Sequence, residues 1–373
     1  MNRSVLAAIC VPVVVAVALV GTFVLTAKHG RSPSSSSASQ ALPGQSAVPG
    51  TGHTSPSASP KSGHSRAHQK ASPKSGHNRG HQGGSPKSKR QPGGTGPGGT
   101  GPGPGQGPTG PPGPPGFVGV AVTGPITSAV ASFSKLTGAH MTLVELYGSF
   151  GASFPQQQAG NIAAAGSVPF IQWNPRHAPL GQIAAGKYNG YVRQYARAVK
   201  AFKHRIVLSF AHEMNGSWGP WGTQHATAAQ FVHAWRKVHG IFARNGVNNV
   251  TWSWDPSHTG LPASGYWPGS GYVDQVGIDG YQRHGQTFSE IFQRQLANIR
   301  SFTSKPIFIA ETSVAPSHGA SSQIAGLFSG VRQYHLAGFV WFDINHLEPW
   351  RLEGRPSAIR AFRMGVAAWQ RAS

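Results

Sequence analysis

The sequence predicts an α/β fold, a (β/α)8 TIM barrel preceded by an N-terminal hydrophobic segment and a long disordered linker. Three observations predict it. About 257 residues, from Phe117 to Ser373, carry all ten acids and the periodic apolar segments, and barrels of this kind commonly occupy about 250 residues. Within them, eight short β-rich runs alternate with stretches of helical periodicity. The runs are near-continuously apolar, as strands covered on both faces must be. A doubly wound open sheet would share the alternation, but no glycine-rich nucleotide loop follows the first run.

The chain opens on residues 5–27, VLAAICVPVVVAVALVGTFVLTA, apolar apart from two threonines. At 23 residues this run is long enough to span a bilayer and longer than most signal-peptide cores. Residues 1–31 therefore read as a signal peptide or membrane anchor, with the uncleaved anchor preferred. Either way the bulk of the chain is expected to be extracellular, secreted or held at the membrane. Cys10 is the single cysteine, which excludes an internal disulfide and a cysteine-based metal site.

Residues 32–116 form a basic Gly/Pro/Ser/Lys/His-rich linker. SPKSGH begins at Ser59 and again at Ser72, and SPKSKR begins at Ser85, a period of 13. Such a segment has too few apolar groups to offset its ordering entropy, so it is expected to be disordered. His64, His68, His77 and His81 follow the repeat and read as low-complexity composition, not as a metal site. The closing GPTGPPGPPG keeps a three-residue glycine period over its last triplets only, which suits a semi-stiff spacer better than a triple helix. The chain's net charge is +22, and residues 28–116 hold ten basic residues and no acid. This balance favours an anionic cell-wall or membrane surface as a contact of the linker. No nucleic-acid reading motif accompanies it, so no nucleic acid is expected as a partner.

The eight candidate strands are FVGVAV (117–122), MTLVELY (141–147), VPFIQW (168–173), RIVLSFA (205–211), NVTWSWD (249–255), VDQVGID (273–279), KPIFIAE (305–311) and GFVWFD (338–343). Between them, Tyr191, Tyr195, Val199 and Phe202 give one apolar helical face, and Phe231, Trp235, Val238 and Phe242 another.

In a closed parallel barrel the working groups stand at the carboxyl ends of the strands. Glu213 follows the fourth run, Asp255 closes the fifth, Asp279 and Tyr281 the sixth, Glu311 the seventh and Asp343 the eighth, while Glu145 lies within the second. Asp255, before Pro256, reads as a helix cap. Glu213 and Glu311 precede no clear helix start. Two carboxyls facing one another across a barrel mouth can hydrolyse a glycosidic bond if one is kept protonated and the other ionised, so their environments must differ. Trp218 and Trp221 offer Glu213 an apolar side, and Tyr281 is a candidate donor to Glu311. Pyranose rings pack on aromatic faces, which makes Trp173, Trp218, Trp254 and Trp341 candidate substrate-binding residues. HEMNG lacks the second histidine of a zinc HExxH motif because residue 216 is glycine. No metal and no cofactor are expected.

With those residues in view, residues 117–373 resemble glycoside hydrolase family 26, retaining barrel enzymes that include β-mannanases and β-1,3-1,4-glucanases. FAHEMNGSWGPWG (210–222) is similar to that family's acid/base motif and IFIAETS (307–313) to its nucleophile motif. GSVPFIQWNP, IDGY and WFDINHLEPWRL are also similar to stretches typical of it. The resemblance implies Glu213 as the proton donor and acid/base and Glu311 as the nucleophile. It implies His212 as a residue orienting the sugar or the nucleophile, and Tyr281 as a bond to Glu311, with Asp279 beside them in the substrate-binding site. It further implies a retaining endo-β-glycanase acting on β-1,4-mannan or mixed-linkage β-1,3-1,4-glucan, and a monomer is expected. The alternative is a non-catalytic cell-surface polysaccharide-binding protein, which would keep the tryptophans without needing both carboxyls.

Overall fold

The structure, a computed structural model, describes residues 116–283 and 285–371. The apolar run 5–27, the 13-residue repeats and the spacer up to residue 115 lie outside them. Among the described residues, no helix is long and apolar enough to cross a membrane.

Strand and helix alternate along the chain. The first half runs β1 (Phe117–Ala121), α1 (Ile126–Thr137), β2 (Leu143–Ser149), α2 (Gln156–Ala164), β3 (Val168–Asn174), α3 (Leu180–Ala184), α4 (Asn189–Phe202) and β4 (Ile206–Phe210). The second runs α5 (Ala228–Arg244), β5 (Val250–Trp254), β6 (Gln275–Val276), α6 (Phe288–Arg300), β7 (Ile309–Thr312), α7 (Ala320–Gln333), β8 (Gly338–Phe342) and α8 (Pro356–Arg371). The helical faces form as their periodicity requires: Val192, Tyr195, Ala196, Val199 and Phe202 of α4 are buried, as are Phe231, Ala234, Trp235, Val238, Ile241 and Phe242 of α5. Reciprocal capping boxes start α5 (Thr227 with Gln230) and α6 (Thr287 with Glu290), satisfying donors that helix starts leave open.

All strand pairs are parallel, in the order β6-β5-β4-β3-β2-β1-β8-β7. Parallel bridges Val276↔Ile307 and Asp279↔Glu311 join the β6 and β7 segments and complete the ring. The fold is thus an eight-stranded parallel barrel, with two departures from regularity. Two short 3₁₀ turns, Ala263–Tyr266 and Ser270–Tyr272, stand where a crossover helix between β5 and β6 would run. Of the expected strand 273–279, only Gln275–Val276 is regular, and the rest pairs through single bridges.

Alternation along the strands sorts side chains into two layers. Leu143, Phe170, Val207, Phe308, Ala310 and Val340 form an apolar plug inside the barrel. The far larger core lies between strands and helices. On β7 the register against β8 slips between Ile309 and Thr312. The slip breaks the alternation, so Ala310 belongs to the plug while Glu311 also turns to the barrel interior, a re-aiming that bulges commonly provide.

Candidate active site

At the end of β4, Ala211 (φ 55°) and Glu213 (φ 52°) both adopt left-handed backbone, which costs a non-glycine residue about 1–2 kcal/mol. Neighbouring strands hold the two in place. Ala211 N–H donates to the Trp173 carbonyl at 3.1 Å and Glu213 N–H to the Asp255 carbonyl at 2.7 Å. The Trp221 indole donates to the His212 carbonyl at 2.7 Å. Asn215, buried, staples this turn to the loop after β5: its amide donates to the carbonyls of Ser257, Thr259 and Leu261 and accepts from Ser257 N–H. Trp218 folds back across Gly216, where a Cβ would lie 2.3 Å from the indole ring, and its Nε1 donates to Glu213 Oε2 at 2.6 Å.

Glu311 faces this turn from β7. Tyr147, at the end of β2, donates to its Oε1 at 2.9 Å, and Tyr281, from the β6 segment, donates to its Oε2 at 2.5 Å. His212 Nδ1 lies 3.5 Å from Glu311 Oε1 and 3.1 Å from Asp279 Oδ2. Tyr281 packs on Trp350 (centroids 5.0 Å apart), and Arg283 lies over that indole at 4.8 Å while its Nε approaches Glu348 Oε1 at 3.5 Å. The loops after β6 and β8 are thereby clasped behind the phenol.

The electrostatics separate the acids. Burial pushes the Glu213 carboxyl up, His212 pulls it down, and the charge of Glu311 pushes it up again; the indole bond from Trp218 also holds it down, with burial dominating. Burial and then the Glu311 and Glu213 charges push Asp279 well above the usual carboxylate range. Asp255 is pushed up to about 6 by burial, against hydrogen bonds from Ser253 and Ser209. Burial also raises Tyr147 and Tyr281, which keeps both as phenol donors. Donor atoms of His212, Asp279 and Glu311 lie within 4.8 Å of one another, a spacing a cation could use. Those atoms are already engaged: His212 bonds Asp279, and both oxygens of Glu311 accept from phenols.

The structure brings Glu213, His212, Asp279, Tyr281, Glu311 and Trp218 of the sequence candidates to one place. Three tryptophans are corrected. Trp173, Trp254 and Trp341 are each 0% exposed and point outward between strands and helices. Trp173 stacks on Tyr195 with centroids 4.1 Å apart, Trp254 donates to the Tyr266 carbonyl and packs on Trp267, and Trp341 packs on Phe362. They stabilise the barrel and present no face to the cleft. Asp255 is corrected as well: it caps no helix, and its carboxylate accepts from Ser253 Oγ at 2.5 Å and Gly277 N–H at 3.0 Å inside the barrel. Sequence reasoning missed Tyr147 and Asn215. Tyr147 stands two residues after Glu145, and period two puts both on the inner face of β2. A cavity of about 250 Å³ also opens between the end of β1 and α1, lined by Thr123, Ser128, Ser132, Asp343, Arg351 and Glu353.

Comparison with known proteins points in one direction. The model of glycosyl hydrolase family 26 matches residues 176–343. Endoglucanase H of Acetivibrio thermocellus is 31% identical over 267 residues, 66% of this chain and 30% of that protein. Mannan endo-1,4-beta-mannosidase A and B of Caldalkalibacillus mannanilyticus is 27% identical over 161 residues, 39% of this chain and 30% of that protein. The chain thus spans 30% of the length of each of these two relatives. Among solved structures, a GH26 β-mannanase from Bacteroides ovatus superposes with a TM-score of 0.53 at 16% identity, covering 69% of this chain and 89% of that one, a likeness of fold.

Proposed function

From the premise that this chain belongs to glycosyl hydrolase family 26, we propose that its barrel is a retaining endo-β-glycanase acting on β-1,4-mannan or mixed-linkage β-1,3-1,4-glucan. The observation that carries this reading is the contrast between two carboxyls at one barrel mouth. Glu213 is pushed up by burial, which favours its protonated form, whereas Glu311 accepts from two phenols, the arrangement an ionised carboxylate uses. Glu213 donates its proton to the glycosidic oxygen as a Glu311 oxygen bonds to the anomeric carbon. The leaving sugar departs with that proton. Glu213, now a carboxylate, takes a proton from water, whose oxygen displaces Glu311 and restores the starting configuration. His212 and Tyr281 hold Glu311 in line, and Trp218 lays an aromatic face beside Glu213. Relatives named for endoglucanase and endo-mannosidase activity support the endo-acting reading.

The test uses the full chain with β-1,4-mannan and mixed-linkage glucan, reading reducing ends and, by NMR, the anomer formed first. Glu213→Ala and Glu311→Ala should each abolish release, and the first product should be the β anomer. Full activity in either variant removes that residue from the mechanism, and an α anomer overturns double displacement.

Such an enzyme meets its polysaccharide outside the cytoplasm, which fits residues 5–27 as anchor or export signal and 32–116 as spacer. The basic repeats would hold an anionic wall or membrane surface. Deleting residues 59–90 should then reduce retention on cell walls in low salt, with little difference left in high salt; equal retention at low salt would refute that role.

A further inference from the structure

Glu145 has no part in the chemistry above, yet it is 2% exposed inside the barrel. On the inner face of β2 it stands between two residues of known surroundings. Leu143 below belongs to the apolar plug, and Tyr147 above donates to Glu311 Oε1 at 2.9 Å. The period of the strand therefore puts the Glu145 carboxyl in the layer directly beneath the Glu311 carboxylate. Its strand neighbours in register are Ala121 on β1 and Phe170 on β3, neither of which carries a proton to share. Gln172, next along β3 on the inner face, directs its Nε2 to Asp255 at 3.5 Å. Neither Glu145 oxygen makes a hydrogen bond of good geometry, and the polar side chains close enough to reach it are the Gln172 amide and the Glu311 carboxyl. No Lys or Arg among the described residues pairs with Glu145, Glu213, Asp255, Asp279 or Glu311; His212 is the one base that does so.

A buried carboxylate with no cation and no donor but an amide shared with Asp255 is more costly than a buried carboxylic acid. Two facing carboxylates have no hydrogen between them, while a single proton on Glu145 supplies one and gives Glu311 a third donor. We propose that Glu145 is a positioning residue for the nucleophile: a neutral carboxylic acid that donates a hydrogen bond to Glu311 from below, as Tyr147 and Tyr281 do from its sides. The groups facing it are consistent with this. Tyr147 on its own strand, Asp255 from β5, Asp279 from the β6 segment and Glu311 from β7 are all acids. Burial first, and then the Glu311 charge, push Glu145 well above the usual carboxylate range, and the Gln172 amide only partly opposes them.

The role rests on Glu311 as nucleophile, so the experiment separates the two. Glu145→Gln keeps a neutral donor of the same shape; Glu145→Leu keeps bulk and removes the donor. In the full chain at neutral pH, the infrared difference spectrum between wild type and Glu145→Gln should contain the carbonyl stretch of a protonated carboxyl, independently of any activity. In kinetics, Glu145→Leu should lower kcat about 10- to 100-fold with KM little changed and move the acid limb of the kcat/KM profile upward. Glu145→Gln should retain kcat within a few-fold and leave that limb in place. Absence of the protonated-carboxyl band overturns the proposal. So does a downward move of the acid limb in Glu145→Gln, the signature of removing a negative charge. Should Glu145→Leu fail to fold, the spectrum and the glutamine variant still decide. A chain that cleaves no β-glycan yet shows the band would refute the hydrolase and leave the neutral acid standing.

Discussion

Replacing Trp218 with phenylalanine leaves a ring packed over Gly216 but removes the indole N–H that meets Glu213 Oε2 at 2.6 Å. That bond favours the ionised form of Glu213 and so opposes the burial that pushes its carboxyl up. A hydrogen bond to a charged group contributes about 1.5–3 kcal/mol, and each pH unit corresponds to about 1.36 kcal/mol. Glu213 is only half-buried and open to the cleft, which puts the effect at the lower end, about one pH unit. In the first step of the proposed mechanism Glu213 must carry its proton, so kcat/KM should fall as pH rises through its pKa. Losing the indole raises that pKa further, and the alkaline limb of kcat/KM should move up by about one unit. Initial rates of reducing-end release across a pH series, for wild type and Trp218→Phe, measure the limb directly. A limb that stays in place or moves down would show that Glu213 is not the proton donor, or that Trp218 does not govern it.

Three further outcomes follow from the same geometry. Gly216→Ala would put a Cβ 2.3 Å from the Trp218 ring and displace the indole; it should reproduce the alkaline move of Trp218→Phe and add little in the double variant. Asn215→Ala removes the staple between two cleft loops and strands the buried Ser257 N–H. It should lower stability by about 2–3 kcal/mol in denaturant titration, and a loss under ~0.5 kcal/mol would show that solvent replaces the staple. Asp255, at about 6 in the folded chain against about 3.9 when unfolded, binds its proton more tightly when folded. Its contribution is full below about pH 4 and is lost as pH rises through about 6, by up to about 3 kcal/mol. Asp255→Asn should lack that fall, so its stability relative to wild type should rise from pH 4 to pH 7.5; a constant difference would refute the assignment.

The strands were legible because a parallel barrel buries both strand faces, and runs such as RIVLSFA have few other places to go. The β5–β6 crossover was not, since PSHTGLPASGYWPGSG is rich in Gly, Pro and Ser and folds into 3₁₀ turns held by neighbouring loops. The tryptophan errors have one cause, strand parity. Phe170 and Gln172 face inward on β3, so Trp173 faces out; Val340 faces inward on β8, so Trp341 faces out; Ser253 and Asp255 face inward on β5, so Trp254 faces out. Parity alone would have removed all three and added Tyr147. It could not have placed Glu311, because the register slip on β7 puts two adjacent residues inside. Nor could it have placed Trp218, which reaches the site from a loop by crossing a glycine.

The ten acids of this chain are distributed with a consequence for chemistry. Of the eight outer helices among the described residues, only α6 carries an acid, Glu290, while Glu145, Glu213, Asp255, Asp279 and Glu311 converge on the barrel interior around one imidazole. An arginine in that interior would draw protons off the carboxyls and leave no acid to donate. Burial and mutual repulsion do the reverse: they push the carboxyls of Glu145, Glu213, Asp255 and Asp279 up, towards the protonated form. In the proposed mechanism the phenol donors mark Glu311 as the carboxylate and burial marks Glu213 as the acid. On that proposal, the division of labour that glycoside cleavage needs follows from a pool of acids short of cations, sorted by which of them meets a donor.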